Sequence, residues 1–132
     1  MPQEVEIVAV DRKIWSGEAD LVRARTLDGE VGVLANHAPL LGVLVEGGVV
    51  TVRRSDGDDI VAAVHGGFIS VQNSFTQILA EAAELSGDID VGRARQALER
   101  ARSAGEDDAD AAKAAKRAEA RLTAAGESVE SP

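Results

Sequence analysis

The chain has 132 residues, 45% of them hydrophobic but only 2% aromatic, with no cysteine and a formal net charge of −9. That is room for one ordinary domain, or a small domain with an appendage, with a core built from Val, Ile, Leu and Ala. Disulfide scaffolds, thiolate metal sites and cysteine nucleophiles are excluded, and so acidic a chain is a poor grip for phosphate backbones, which speaks against nucleic acid as a partner.

The N-terminus, Met1-Pro2-Gln3-Glu4, lacks the basic region and apolar run of a secretory signal. No stretch approaches the roughly eighteen apolar residues of a membrane span. The expectation is a soluble chain that meets a membrane only through something embedded there. Val5, Ile7 and Ala9 then alternate with Glu4, Glu6 and Val8, the period of a half-buried strand. Asp20 to Leu27 alternates again, with Arg23 and Arg25 on one side and Val22 and Ala24 on the other. Val31–Leu34, Leu41–Val45, Gly48–Arg54, Asp59–His65, Phe68–Val71 and Phe75–Ala80 complete a series of short strands. Turn signals separate them: Asp28-Gly29, Glu46-Gly47-Gly48, Gly66-Gly67 and Gln72-Asn73-Ser74. Ser55-Asp56-Gly57-Asp58, between two β-branched runs, reads as a hairpin. Many short strands with frequent turns predict a flattened all-β sandwich or barrel over residues 1–85.

From Ser86 the composition changes: aromatics vanish, β-branched residues become scarce, and Ala, Arg and Glu dominate. Asp88 and Asp90 are cap candidates, and Val91, Ala94, Leu98 and Ala101 follow at the spacing of an amphipathic helix. Gly105 and Glu106-Asp107-Asp108 break the chain and open a second helix. Its stripe is Ala111, Ala115, Ala118, Leu122 and Ala125, and Gly126 is its stop. Residues 86–132 therefore predict a C-terminal α-helical hairpin with a frayed tail from Glu127. Its seam is mostly alanine. A buried Leu contributes about 1.5–3 kcal/mol and an Ala about one methyl's worth, so the hairpin holds its shape largely by docking. Helices that stay helical while weakly packed can detach and extend.

No enzyme signature stands out. His37 and His65 lack a partner at metal-ligand spacing, and no nucleophile elbow is present; both read as structural or interface histidines. A small hydrolase or carbohydrate-binding sandwich would need a third partner and more aromatics. Gly66-Gly67 lacks the strand–GxGxxG–helix setting of a dinucleotide site and reads as a close strand approach. Trp15, the only tryptophan, reads as a plug at the edge of the sandwich. The segment Asp28–Leu41, with its histidine and proline, reads as a long connection of the kind that carries binding.

These residues resemble a known family, the epsilon subunit of F-type ATP synthases, over nearly the whole chain. The anchors are Val5–Val10 before Trp15-Ser16-Gly17-Glu18, Gly29–Leu34 leading into His37-Ala38-Pro39-Leu40, Gly66-Gly67-Phe68-Ile69-Ser70-Val71, and Ile78–Glu84 ending in Asp88-Ile89-Asp90. One departure is Ala35-Asn36 where the family usually has Pro-Gly; Asn tolerates the positive φ that Gly would take.

The resemblance implies a non-catalytic rotor subunit of the central stalk, coupling the proton-translocating ring to the catalytic sector. It implies a β-domain that binds the gamma subunit and the ring of c subunits, with Glu30 carried over as a c-ring contact and His37 as a gamma or c-ring contact. The two helices would fold against the β-domain or extend toward the alpha and beta catalytic subunits, hindering ATP hydrolysis. The location implied is peripheral, on the cytoplasmic face of the bacterial cell membrane, with the membrane met only through the complex.

No cofactor is required. In some members the hairpin binds regulatory ATP through Ile/Leu-Asp-x-x-Arg-Ala, matched here by Ile89-Asp90-Val91-Gly92-Arg93-Ala94, with Glu84 at an acidic site position and Arg100 facing the phosphates. An ATP-sensing module is thus the alternative function. The bland reading, Asp90 as a helix cap and Arg93 solvated, stays open beside it, and Gly92 costs the helix about 1 kcal/mol.

Overall fold

A computed structural model of the chain describes residues 2–105 and 107–129; Glu106 in the expected break and the end of the expected frayed tail lie outside them. Ten strands come first: β1 (Gln3–Ala9), β2 (Lys13–Ala19), β3 (Leu21–Thr26), β4 (Gly29–Leu34), β5 (Leu40–Val43), β6 (Gly48–Arg53), β7 (Ile60–His65), β8 (Phe68–Gln72), β9 (Phe75–Ala80) and β10 (Ala82–Leu85). A 3-10 turn at Ser86–Asp88 leads into α1 (Val91–Ser103) and α2 (Ala109–Ala124). This is the expected sandwich followed by a helical hairpin.

The strands form two five-stranded sheets, ordered β2-β1-β9-β8-β5 and β10-β7-β6-β3-β4. Neighbours are antiparallel except β1 and β9, which run parallel with Ile7 opposite Ile78. Alternation turns one face of each strand inward. Val5, Ile7, Ile69, Val71 and Ile78 of the first sheet meet Val22, Val33, Val50, Val52 and Val64 of the second. Branched aliphatics fill this core, as an aromatic-poor composition requires. The buried polar pair is satisfied: Thr76 Oγ1 donates to Gln3 Oε1 at 2.6 Å, and Gln3 Nε2 donates to the Val33 carbonyl at 2.7 Å.

Two strands escape detection by periodicity. β2 is an edge strand whose Ile14 and Trp15 are both half-buried against the core, and its alternation of Trp15, Gly17 and Ala19 with Ser16 and Glu18 carries only one large apolar side chain to announce it. Its Trp15 ring lies across Gly17, where an added Cβ would come within 2.8 Å of Cζ2. β10 reads Ala-Ala-Glu-Leu, residues with helix rather than strand preference, and is held by pairing with β7. The segment Asp28–Leu41, read as a long connection, contains the whole of β4. Asn36 takes a φ of 65°, the positive value expected of it. Gly67, at φ 103°, is the close approach: a Cβ there would sit 2.8 Å from the Ala80 Cα.

The hairpin lies on the outer face of the second sheet. Asp90 caps α1 by accepting from the Arg93 amide, and Asp108 caps α2 by accepting from the Ala111 amide. The seam between the helices is Ala94, Leu98, Ala118 and Leu122. A second stripe on α2, Ala120 and Ala124, packs on Ala63 of β7 with Val49, Val61 and Ile89 around it. Ion pairs rim this contact. Arg117 of α2 bonds Glu46 and reaches Glu81 at 3.8 Å, and Arg121 donates to Glu84 of β10 at 2.8 Å. Gly47, in the turn before β6, lies directly beneath the α2 backbone at Lys116.

Candidate functional site

Glu30 and His37 occupy opposite ends of β4. Glu30 is its second residue, paired across to Arg25 and 3.6 Å from the Arg23 Nε. His37 stands three residues past the other end, half-buried, its Nδ1 2.6 Å from the Ala38 carbonyl oxygen. Four residues of strand, about 13 Å, separate Glu30 from Leu34 alone. The structure therefore does not bring the two together. The turn carrying His37 is pinned to the β8–β9 turn, where Ser74 Oγ accepts from the Asn36 amide at 2.9 Å and donates to its side-chain oxygen at 3.1 Å.

Of the residues carried over for ATP, Glu84, Asp90, Arg93, Ala94 and Arg100 do come together. A cleft of about 300 Å³ at the junction of hairpin and sandwich is lined by Glu84, Asp90, Arg93, Ala94, Ala97, Arg100 and Arg121. Arg93, Ala97 and Arg100 share one face of α1 because they lie four and three residues apart. Asp90 is committed as the α1 cap, with its Oδ1 3.0 Å from the Arg93 amide nitrogen. Glu84 and Arg121 are committed to each other, whereas the Arg93 and Arg100 guanidinia form no ion pair among the described residues. Two free guanidinia beside an open cleft suit a polyanion, since their planar forks match phosphate oxygens. Ile89 does not line the cleft; it packs on the Ala63–Ala120–Ala124 cluster instead. Arg121 went unforeseen, because 37 residues separate it from Glu84 and no local pattern links them.

A third surface was also unforeseen. On the outer face of the first sheet, register places Val43 beside Phe68, Phe68 beside Leu79, and Leu79 beside Val8. Val43, Phe68 and Leu79 are 44%, 48% and 40% exposed, and Leu41, two residues before Val43, is 73% exposed. A contiguous apolar row left in water across four strands marks an interaction site. The signal was available: Phe68 and Leu79 are out of phase with their buried neighbours Ile69 and Ile78. His65 is only 1% exposed, on the face of β7 that α2 covers. Among the described residues no helix is long and apolar enough to cross a membrane.

Comparison with known proteins gives one consistent result. Residues 3–86 match the family model of the ATP synthase delta/epsilon chain β-sandwich domain. The ATP synthase epsilon chain of Streptomyces avermitilis is 55% identical over 120 residues, covering 91% of this chain and 92% of that one. The epsilon chain of Streptomyces griseus is 58% identical over the same coverage, and that of Rhodococcus opacus 57% identical over 71% of this chain and 77% of its own. Among solved structures, a chain of the Euglena gracilis mitochondrial ATP synthase OSCP/F1/c-ring assembly superposes with a TM-score of 0.73 at 24% identity, covering 91% of this chain and 76% of that one. A chain of the Tetrahymena thermophila mitochondrial ATP synthase central stalk and c-ring does so at 0.57 and 17%, covering 93% and 90%. At such identities the two structures speak for the fold alone.

Proposed function

The chain belongs to the ATP synthase delta/epsilon family, and from that premise we propose that it works as a non-catalytic epsilon subunit in the central stalk of a proton-translocating F-type ATP synthase. In this reading the sandwich is the fixed clamp and the hairpin the movable regulator. The observation that carries it is the pairing of an exposed apolar row on one face with a lightly packed, ion-pair-rimmed hairpin on the opposite face. The row Val43–Phe68–Leu79–Val8 suits the side of the gamma subunit, because burying each large side chain contributes about 1.5–3 kcal/mol. Glu30 and His37 serve the c-ring and gamma contacts, at two ends of one edge strand rather than at one point. No chemistry is required of the chain, which sits peripherally on the cytoplasmic face of the membrane through its complex.

The alanine seam supports the regulatory half of the reading. A hairpin held by Ala120 and Ala124 on Ala63 is light enough to leave, extend toward the alpha and beta subunits and hinder hydrolysis. Binding of the gamma subunit to the full chain tests the clamp. Phe68→Ser with Leu79→Ser is expected to weaken it at least tenfold, about 1.4 kcal/mol; unchanged affinity overturns the assignment of that face. His37→Ala with undiminished gamma and c-ring binding removes His37 from the interface.

A second reading, that ATP stabilises the folded hairpin, is favoured by the two free guanidinia facing the Glu84–Arg121 cleft. Arg93 and Arg100 would hold phosphates while Arg121 and Glu84 tie the same cleft to the sandwich. Gly92 weighs against it by softening the first turn of α1. Calorimetry with millimolar ATP decides: no heat, and no effect of Arg93→Ala, ends the sensor reading.

A further inference from the structure

Among the described residues, His65 is the one titratable group buried at the hairpin–sandwich contact without a partner. It is 1% exposed, and neither Nδ1 nor Nε2 has a hydrogen-bond partner among the described residues. It shares the outward face of β7 with Ala63, the residue on which Ala120 and Ala124 rest. A buried polar ring without a bond is costly, and a charged one is far costlier. Such a group at a contact made of alanines has leverage over that contact.

The charged groups around the imidazole are turned to one another. From α2 come Arg117 and Arg121; from the turn before β6 comes Glu46; from the β9–β10 junction comes Glu81, and from β10 itself Glu84. Each carboxylate is engaged with an arginine, and none bonds the imidazole. We infer that His65 is a proton-operated release for the helical hairpin: neutral, it lies quietly beneath α2; protonated, it drives α2 off the sheet. Undocking returns the ring to water and moves it away from Arg117 and Arg121, so the undocked state takes up the proton.

The sign follows from linkage. In the docked state burial, then Arg121 and Arg117, push the His65 pKa down to about 4 from an ordinary 6.5, with Glu46 opposing. The docked state therefore binds fewer protons. Docking is unaffected above pH 6.5 and is lost progressively as pH falls from 6.5 toward 4. Between pH 7.5 and 5.5 the docked-to-undocked ratio falls about tenfold. Ordinary carboxylates, with pKa near 4, titrate mostly below that window.

The natural chain has no cysteine, so a single introduced thiol reports docking. Ala124→Cys places it beneath α2, and its rate of reaction with a thiol reagent, divided by that of an exposed Ser103→Cys control at the same pH, measures the fraction undocked. The expected result is a tenfold loss of protection between pH 7.5 and 5.5 with His65, and less than twofold with His65→Gln. Equal pH dependence in the two chains, or none with His65, overturns the inference. If His65→Gln loses protection already at pH 7.5, NMR titration of the imidazole in the unsubstituted chain decides instead. A ring titrating near 6.5 with the hairpin still docked overturns the inference; a ring still neutral at pH 5.5 in the docked population supports it.

Discussion

Gly47→Ala is the substitution that separates the two parts of the molecule most cleanly. Gly47 has a φ of 72°, so alanine there is strained by about 1–2 kcal/mol in the sandwich itself. That cost is the same whether the hairpin is docked or not. The added methyl acts differently: it would lie 2.5 Å from the Lys116 carbonyl carbon and 3.0 Å from the Arg117 nitrogen. Both are α2 backbone, which cannot rotate aside. The helix has to rise by about 1 Å, and a gap of that size forfeits a quarter to a half of each contact it opens. The apolar hold is Ala63, Ala120 and Ala124, at about 0.8 kcal/mol per methyl. Overpacking adds about 1–3 kcal/mol. Together these weaken docking by about 2–3 kcal/mol, a 30- to 150-fold loss. The assay is thiol protection of Ala124→Cys, with Gly57→Ala as control. Gly57 also has a positive φ, 126°, but its added Cβ meets only the Arg54 side chain. Protection lost equally in the two variants, or in neither, would refute the reasoning.

Leu122→Ala removes one of the two buried leucines of the helix seam; it is expected to cost about 2–5 kcal/mol, with the helical circular-dichroism signal melting earlier while Trp15 fluorescence keeps its transition. Arg121→Ala leaves the half-buried Glu84 without its partner; tryptic cleavage within α2 is expected to rise several-fold with no change in sandwich stability. Gly67→Ala strikes the sandwich itself, where the Ala80 Cα and a φ of 103° both oppose a side chain; the Trp15 transition is expected to fall by more than 10 °C, from a loss above about 2 kcal/mol. An anion that needs the docked hairpin to fill the Glu84–Arg93 cleft is expected to bind more weakly at pH 5.5 than at 7.5, by at most about tenfold and by less the more fully the hairpin is docked; pyrophosphate binding at the two pH values measures it, with His65→Gln as the reference for the anion's own protonation.

The inward half of the sandwich was legible because alternation states it directly: Val5 and Ile7, Val22 and Ala24, Ile69 and Val71 all point where the period of two puts them. The Ser55–Asp58 hairpin was equally plain, with β6 and β7 pairing across it. What local pattern could not carry was pairing between distant strands. β1 beside β9 in parallel, and β10 recruited to β7 despite its helical preference, are decided by which edges remain to be covered. The same limit governed the hairpin. The stripe Ala94–Leu98 and Ala118–Leu122 was visible as periodicity. The second stripe at Ala120 and Ala124 was hidden, because alanine serves helix propensity and packing alike. In the cleft, residues adjacent in sequence were found from their motif, while Arg121 and the coupling to His65 exist only once α2 lies on β7.

The division of labour between sandwich and hairpin is tested most directly by ATP hydrolysis in the assembled catalytic sector. The full chain is compared with one ending at Gly87, both first shown to bind the gamma subunit equally. The account predicts faster hydrolysis with the truncated chain at unchanged gamma affinity. Equal hydrolysis rates would contradict it, and would leave the hairpin without the regulatory part assigned to it.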